Sequence, residues 1–489
     1  MRLEMKRVIV LGMSFLCFGT LAAKKPNILL IVSEDNGPEL GCYGDPFVKT
    51  PILDRLAADG TRFHNAYVPQ AGCSPSRAAY FTGLYPHQNG QIGLATWKFR
   101  MYRKDTPNLV RSLKNTGYRT GILGKLHVNP EAAFPFDFKA IPSSNFKRKQ
   151  LKTYASEAAR FFRGSEAPFF LSVNYPDAHR PFTPQVRGLP KSPLKGEDVK
   201  PLPYFGLDSP DLRRQTADYY NCMSRLDSLV GGLLKALRAS GKYENTLIVY
   251  IGDHGADLLR GKRTSYEGGL RIPMIVSWEK NVARGQVRNE LVSTLDLAPT
   301  LLKVAGAKPI PGLPGRSLAP LLRGEDADWR RYLFTEFHVH SAHNFYPQRT
   351  VRDERFKLIQ NLMPGQINPG VNYTLTAFFQ KVPQVIDSAP EPVRGAYRRM
   401  EKPAEFELYD LKSDPYEFQD LARDPQHAEV LKRMQGELAA WRKQSGDPLL
   451  DPKNLLRLKK EIDACATGKG YDKSKLSLTY PDYFFKKGG

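Results

Sequence analysis

The 489-residue sequence predicts an α/β protein, a helix–sheet–helix sandwich followed by a smaller C-terminal α+β domain of antiparallel sheet plus helix. Three observations carry this. Short, continuous apolar runs alternate with helical patterns through the first two thirds of the chain, as buried and mostly parallel strands require. Near residue 325 the alternation gives way to segments that read as antiparallel strands and then one helix. The length is too great for one simple core.

Residues 1–23 read as an export signal. Arg2, Lys6 and Arg7 make a basic start, 8–21 is mostly apolar, and Leu21-Ala22-Ala23 offers small residues for cleavage. A periplasmic or secreted protein is expected. No later apolar run is long enough to span a bilayer, so no stable membrane insertion is expected after cleavage.

Residues 27–32 (Asn-Ile-Leu-Leu-Ile-Val) form the first buried strand. Glu34 and Asp35 follow at its C-terminal end, where open α/β sheets build their sites. Thr50-Pro51 opens a helix that stops at Gly60, and Thr106-Pro107 opens another ending near Gly117. Residues 118–123 form a strand that delivers Lys125 and His127. Residues 167–175 form the next, delivering Asp177 and His179, with Arg180 beside them. A long amphipathic helix runs over 210–240. Residues 246–251 form a fourth strand, ending at Asp253-His254-Gly255, and 272–278 form a fifth. In the second domain 332–337, 350–359 and 405–411 read as strands and 425–444 as a helix. The expected division is 1–23 signal, 24–325 catalytic domain, 326–450 α+β subdomain and 451–489 basic, turn-rich tail.

The net charge is +22, and residues 1–23 contribute little of it. Such a surface attracts polyanions. Sulfated polysaccharide and nucleic acid both fit, but no nucleic-acid-binding motif is present, so no nucleic-acid partner is expected. Cleavage would remove Cys17, and Cys73 lies in the unusual run Cys73-Ser74-Pro75-Ser76-Arg77, which sets it apart from pairing. That leaves Cys42, Cys222 and Cys465, enough for at most one internal disulfide, and none is predicted. No cysteine cluster suits zinc.

One stretch is chemically unusual. Cys73-Ser74-Pro75-Ser76-Arg77, then 78–81, then Thr82-Gly83 resembles the signature of the type I, formylglycine-dependent sulfatases, C-x-P-S-R-x-x-x-x-T-G. A buried cysteine opening a helix would also accommodate Pro75 and Ser76. The resemblance extends through His87-Gln88-Asn89-Gly90, Gly124-Lys125-Leu126-His127-Val128 and Pro135-Phe136-Asp137-Phe138. It returns at Tyr346-Pro347-Gln348-Arg349-Thr350-Val351 and Glu407-Leu408-Tyr409-Asp410. Within the family the chain is most similar to the N-sulfoglucosamine sulfohydrolase (heparan N-sulfatase) group. The resemblance implies an alkaline-phosphatase-like fold.

It also implies roles. Cys73 would be oxidised to formylglycine by a maturating enzyme and would serve as nucleophile and metal ligand. Glu34, Asp35, Asp253 and His254 would complete the site of one Ca2+, whose preference for six to eight oxygen ligands suits such a set. The family usually has Asp where Glu34 stands, and the sulfamidases have Asn where His254 stands. Arg77, Lys125 and Lys262 would face the sulfate oxygens, where charge concentrates in the transition state. His179 would protonate the leaving group and His127 would serve the diol of the hydrated aldehyde. Lys262 lies in a glycine-rich loop resembling the family segment K-x-T-x-Y-E-G-G-x-R-x-P. Asp177, Arg180, Tyr346 and Arg349 are candidates for binding the substrate.

Each of these has an ordinary alternative. A lysine after a strand is more often solvated, a lone histidine more often structural, and Asp-His-Gly more often a turn. His338, His340 and His343 could border a pocket, but their spacing fits no standard metal motif. The expected substrate is a sulfated glycan, with N-sulfoglucosamine leading. An O-sulfatase on another polysaccharide such as an algal glycan is the alternative. A phosphonate or phosphate monoester hydrolase of the same superfold is a further one. A non-catalytic polyanion-binding protein is the alternative of another class.

Overall fold

The computed structural model describes residues 24–141, 151–468 and 470–485. The expected signal, residues 1–23 with Cys17, lies outside them. Among the described residues no helix is long and apolar enough to cross a membrane.

The strands β1 (Asn27–Ser33), β2 (Thr61–Tyr67), β3 (Arg119–Gly124), β4 (Phe138–Ala140), β5 (Phe169–Asn174), β6 (Thr246–Gly252), β7 (Arg271–Ser277), β8 (Gln286–Arg288) and β9 (Val292–Ser293) form one sheet. Its order is β4-β3-β5-β1-β6-β7-β2-β8, with β9 also on β2. Every pairing is parallel except those of β7, which runs antiparallel to both β6 and β2.

Alternation along the central strands divides the core. Leu29, Ile31, Ile248 and Tyr250 join a cluster under the helices Pro51–Ala58, Thr153–Arg163 and Pro210–Ala239. Ile28, Leu30, Val32, Val249 and Ile251 join the other, under Cys73–Thr82, Leu109–Asn115 and Leu297–Val304. Successive side chains of a strand point to opposite faces, so continuous apolar runs are the mark of a sheet covered on both sides. Truncating Ile31, which has no exposed surface, to alanine would cost ~2–5 kcal/mol.

Register then aligns the strand ends. Ser33 stands opposite Gly252, and Gly124 opposite Asn174. The residues after β1, β3, β5 and β6 therefore emerge together at one edge.

A second sheet contains β10 (Leu333–Phe337), β11 (Gln348–Arg352), β12 (Phe356–Asn361) and β13 (Phe406–Asp410), all antiparallel. The single strand expected over 350–359 is a hairpin. Asp353 breaks it by accepting the backbone N–H groups of Arg355 at 2.9 Å and Phe356 at 2.6 Å. The helix Ala428–Gln444 packs Met434, Leu438 and Trp441 against Val351, Leu358 and Leu408.

The sequence reading also passed over β2. A bulge between Phe63 and Ala66 breaks its alternation. Three helices, Pro369–Phe378, Val382–Asp387 and Val393–Glu401, lie between β12 and β13. The stretch from 451, expected to be turn-rich, holds the helix Pro452–Asp463. Leu458, Ile462, Cys465 and Tyr480 of this region pack with Ile92 and Phe99.

Candidate active site

Four strand ends and one helix start meet at the carboxyl edge of the large sheet. β1 delivers Glu34 and Asp35, β3 delivers Lys125 and His127, β5 leads to His179, and β6 delivers Asp253 and His254. Asp35 takes the left-handed conformation, φ 53°, which aspartate tolerates better than most residues. Its N–H donates to Asp253 Oδ1 at 2.9 Å, joining the two strand ends.

Cys73 opens the helix Cys73–Thr82 beside them. Its Sγ lies 3.4 Å from His254 Nε2 and 3.8 Å from Glu34 Oε1, and only 2% of the residue is exposed. A Cβ on the preceding Gly72 would stand 3.2 Å from His340 Nδ1, so a side chain there would press on that ring. Burial pushes the Cys73 thiol up to about 12, although Lys262 pulls the other way. A thiol so placed is not a nucleophile at neutral pH. The unmodified cysteine is chemically inert in a site that otherwise looks built for attack on an anion.

The charges are dense and paired. Lys262 Nζ is 3.0 Å from both Asp35 oxygens, and Lys125 Nζ meets Glu34 Oε1. Burial holds Lys125 down to about 7. Burial also opposes the charge on Lys262, but Asp35, Cys73 and Asp257 outweigh it and keep the lysine above its ordinary value. Asp35 and Asp253 split: burial pushes Asp35 up against the pull of Lys262, while His254, Arg77 and Lys125 overcome burial and hold Asp253 below the usual range.

Arg77 is committed inward. Nε donates to Asp253 Oδ2 at 3.1 Å, and Nη1 donates to Lys125 O at 2.9 Å and to Asn174 Oδ1 at 2.8 Å. Through Nε and Nη1 it positions the site's other members.

The glycine-rich loop owes its composition to backbone approach. A Cβ on Gly255 would stand 1.9 Å from Gly268 O, and one on Gly261 2.1 Å from Ala256 O. These contacts fold the loop back, and Lys262 N–H closes it on Ala256 O at 2.8 Å.

The donor set suits a metal ion. Oxygen, nitrogen and sulfur atoms of Asp35, Cys73 and His254, and of Glu34, Cys73 and Asp253, lie mutually within 4.8 Å, all buried. His254 Nδ1 lies 2.9 Å from Gly255 O, and a carbonyl can only accept, so Nδ1 carries the proton. Burial pushes the imidazole down to about 4, so it is neutral near pH 7. Its bare Nε2 then faces Asp35 Oδ1 at 3.2 Å and Asp253 Oδ1 at 3.7 Å. Lys262 already faces Asp35 there, and a metal ion among the three groups would take up the Nε2 lone pair as well.

Both ring nitrogens of His127 are buried without a hydrogen-bond partner among the described residues. Burial, then Lys125, Arg77 and Lys262, push it well below its ordinary value. His179 Nδ1 lies 2.6 Å from Arg180 O, and burial with Lys262 and Lys125 lowers it likewise. Arg180 is partly exposed, its guanidinium 4.4 Å from the Phe182 ring and 4.8 Å from that of Phe378.

Three expected substrate contacts have partners within the protein. Asp177 is spent on Arg225, with bonds of 2.7 and 2.8 Å and neither side chain exposed. Tyr346 is buried and donates to Met363 O at 2.8 Å. Arg349 has no exposed surface and grips Asp447 at 2.7 and 2.9 Å. A residue's place after a strand does not reveal that a partner far along the chain has claimed it.

The three second-domain histidines diverge. His338 binds Gln70 and Arg349, His343 joins an aromatic group, and His340 reaches the site beside Gly72. Cys42, Cys73, Cys222 and Cys465 are all thiols, and no disulfide joins the described residues.

A family model described as Sulfatase matches residues 26–307, and one described as N-sulphoglucosamine sulphohydrolase, C-terminal, matches 252–367. Human N-sulphoglucosamine sulphohydrolase is 33% identical over 472 residues, covering 88% of this chain and 93% of its own. An ulvan-active sulfatase of Formosa agariphila is 29% identical over 492 residues, covering 94% and 90%. A solved structure in complex with its substrate D-glucosamine-2-N,6-O-disulfate matches at a TM-score of 0.64 and 21% identity, covering 87% of this chain and 99% of that one. At that identity it speaks for the fold alone.

Proposed function

The chain belongs to the sulfatase family, and we propose that it removes the sulfate of a terminal N-sulfated glucosamine in a sulfated glycan, with formylglycine made from Cys73. The observation that carries this reading is the Cys73 thiol, inert in itself yet seated among Glu34, His254 and the site's cations. The likeness to human N-sulphoglucosamine sulphohydrolase supports the N-sulfated substrate.

In this reading Glu34, Asp35, Asp253 and His254 hold one Ca2+, because a mostly carboxylate set suits a hard cation. When bound, the ion neutralises the buried carboxylates and acidifies the hydroxyl groups beside it. The hydrate of formylglycine supplies two hydroxyls at residue 73, one to attack sulfur and one to expel the sulfate afterwards. Lys125 and Lys262, both buried beside Cys73, bear on the sulfate oxygens, and Arg77 fixes Asp253 and the Lys125 backbone. His127 takes the proton from residue 73. Its unpartnered ring nitrogens fit a base that meets its partner only in the modified enzyme.

His179 protonates the departing amine. Burial and two lysines keep it neutral in the substrate-free site, and a bound sulfate offsets those lysines, so the acid forms with the complex. Arg180 remains a candidate substrate contact.

We assign 1–23 to an export signal, 24–325 to the catalytic domain, 326–450 to the α+β subdomain and 451–489 to the C-terminal region. A maturating enzyme is required for Cys73. A second reading, an O-sulfatase on another polysaccharide, draws support from His254 in place of the sulfamidases' Asn and from the ulvan-active relative. Mass analysis of the Cys73 peptide, with sulfate release from a panel of N- and O-sulfated sugars, tests both. Release from O-sulfated sugars alone would replace the first reading with the second.

A further inference from the structure

Three aromatic side chains from three separate segments converge on His343. The His343 ring centroid lies 5.3 Å from Trp97, 5.0 Å from Tyr373 and 4.9 Å from Tyr471. All four residues stay partly exposed, unlike the rings of the sealed core.

The group is tethered to the reaction centre. Ala95 N–H, in the turn that carries Trp97, donates to Ser74 Oγ at 2.9 Å, next to Cys73. Leu94 N–H donates to His340 O at 2.9 Å, and His340 is the ring against Gly72. Tyr373 rides on the helix Pro369–Phe378, whose Phe378 ring lies 5.8 Å from the Arg263 guanidinium. Arg263 adjoins Lys262, and its own N–H donates to Ala71 O at 3.1 Å. It pairs with Asp257 at 2.5 Å, yet its Nε is buried with no hydrogen-bond partner among the described residues. A cavity lined by Lys262, Arg263, Thr264, Gly370 and Thr374 separates that loop from the helix.

We propose that Trp97, His343, Tyr373 and Tyr471, with Arg263 at their inner edge, form a saccharide subsite for the sugar unit adjoining the one that bears the scissile sulfate. The inference rests on the sulfated-glycan reading above. Partly exposed aromatic faces suit the C–H face of a pyranose. Arg263, paired with Asp257, borders the group on the side of Lys262.

The test compares wild type with Trp97→Ala, Tyr373→Ala and Tyr373→Phe on 4-nitrophenyl sulfate, on a sulfated monosaccharide and on N- and O-sulfated tetrasaccharides. Aryl sulfate and monosaccharide reach only the sulfate cradle, so their kcat/KM should stay within about twofold. On whichever tetrasaccharide the wild type cleaves, both alanine variants should lose about tenfold, mainly in KM, and Tyr373→Phe should retain activity. Equal losses on every substrate, or no loss on the tetrasaccharide, would overturn the subsite. Cleavage of only the O-sulfated tetrasaccharide would fail the N-sulfate reading while the subsite is still judged on that substrate. Cleavage of neither by an enzyme active on aryl sulfate would sink both. Melting temperatures identify any variant that has lost its fold, and binding of the tetrasaccharide to Cys73→Ser with and without Tyr373→Ala then decides.

Discussion

Arg77 Nη2 stands 2.9 Å from Asp253 Oδ2, and neither side chain has any exposed surface. The pair ties the helix that begins at Cys73 to the end of β6. Removing one member would leave a buried charge, which typically costs ~3–5 kcal/mol. The arginine of the cysteine motif thus bears first on the placement of a carboxylate, and the site's chemistry depends on that placement.

Cys73 should carry an aldehyde in active protein. Cys73→Ser keeps nearly the same shape at a buried position, so folding should survive while turnover falls by more than ~10³-fold. The check is peptide mass together with sulfate release. Full activity from protein whose residue 73 is an unmodified thiol would end the formylglycine assignment.

Metal content should track Asp253. Asp253→Asn preserves shape but removes the charge shared between Arg77 and the proposed cation. Bound calcium and activity should fall together, as read by elemental analysis and assay. Stoichiometric zinc with no calcium in active wild type would contradict an oxygen-dominated site.

Acid should help the amine leave. Protonation of His179 grows as pH falls, and burial and two lysines move that step below its ordinary value. For an N-sulfated substrate, wild-type kcat should therefore rise as the pH is lowered from 8 toward 5.5. His179→Ala should flatten that rise and damage sulfamate hydrolysis more than aryl sulfate hydrolysis, since a phenolate departs without a proton. Equal damage to both substrates would remove His179 from the leaving-group role.

Arg349 should matter to stability rather than to turnover. It grips Asp447, and His338 lies 3.0 Å from its Nη2, all within the buried second domain. Arg349→Ala should lower unfolding free energy by ~3–5 kcal/mol in urea titration. In the cold, the folded fraction should keep kcat/KM within about threefold of wild type. A large loss of kcat without loss of stability would return Arg349 to the substrate.

Much of this was legible in the sequence, for physical reasons that also mark its limits. β1 and β6 announce themselves because both their faces are covered, so residues 28–32 and 247–251 are continuously apolar. Glu34, Asp35, Lys125, Asp253 and His254 could be placed together because strand ends meet at one edge of a parallel sheet. β2 was hidden by its bulge, and the 353–355 turn by an aspartate in an otherwise strand-like run. The partners of Asp177, Tyr346 and Arg349 were hidden because pairing is a property of space. Arg225 lies 48 positions from Asp177, and Asp447 lies 98 from Arg349. Trp97, Tyr373 and Tyr471 share no local pattern that could have announced their meeting.

The burial of Cys73 also sets a clock. Its neighbour His254 lies 181 positions later in the chain, so at ribosomal rates of about 5–20 residues per second the thiol emerges roughly 10–40 s before that imidazole exists. His340, which stands against Gly72, comes later still. An enzyme that must handle this side chain meets it readily on the growing or unfolded polypeptide and hardly at all afterwards. Rapid folding and complete maturation are then in competition, and the fraction of active molecules becomes a record of which process came first.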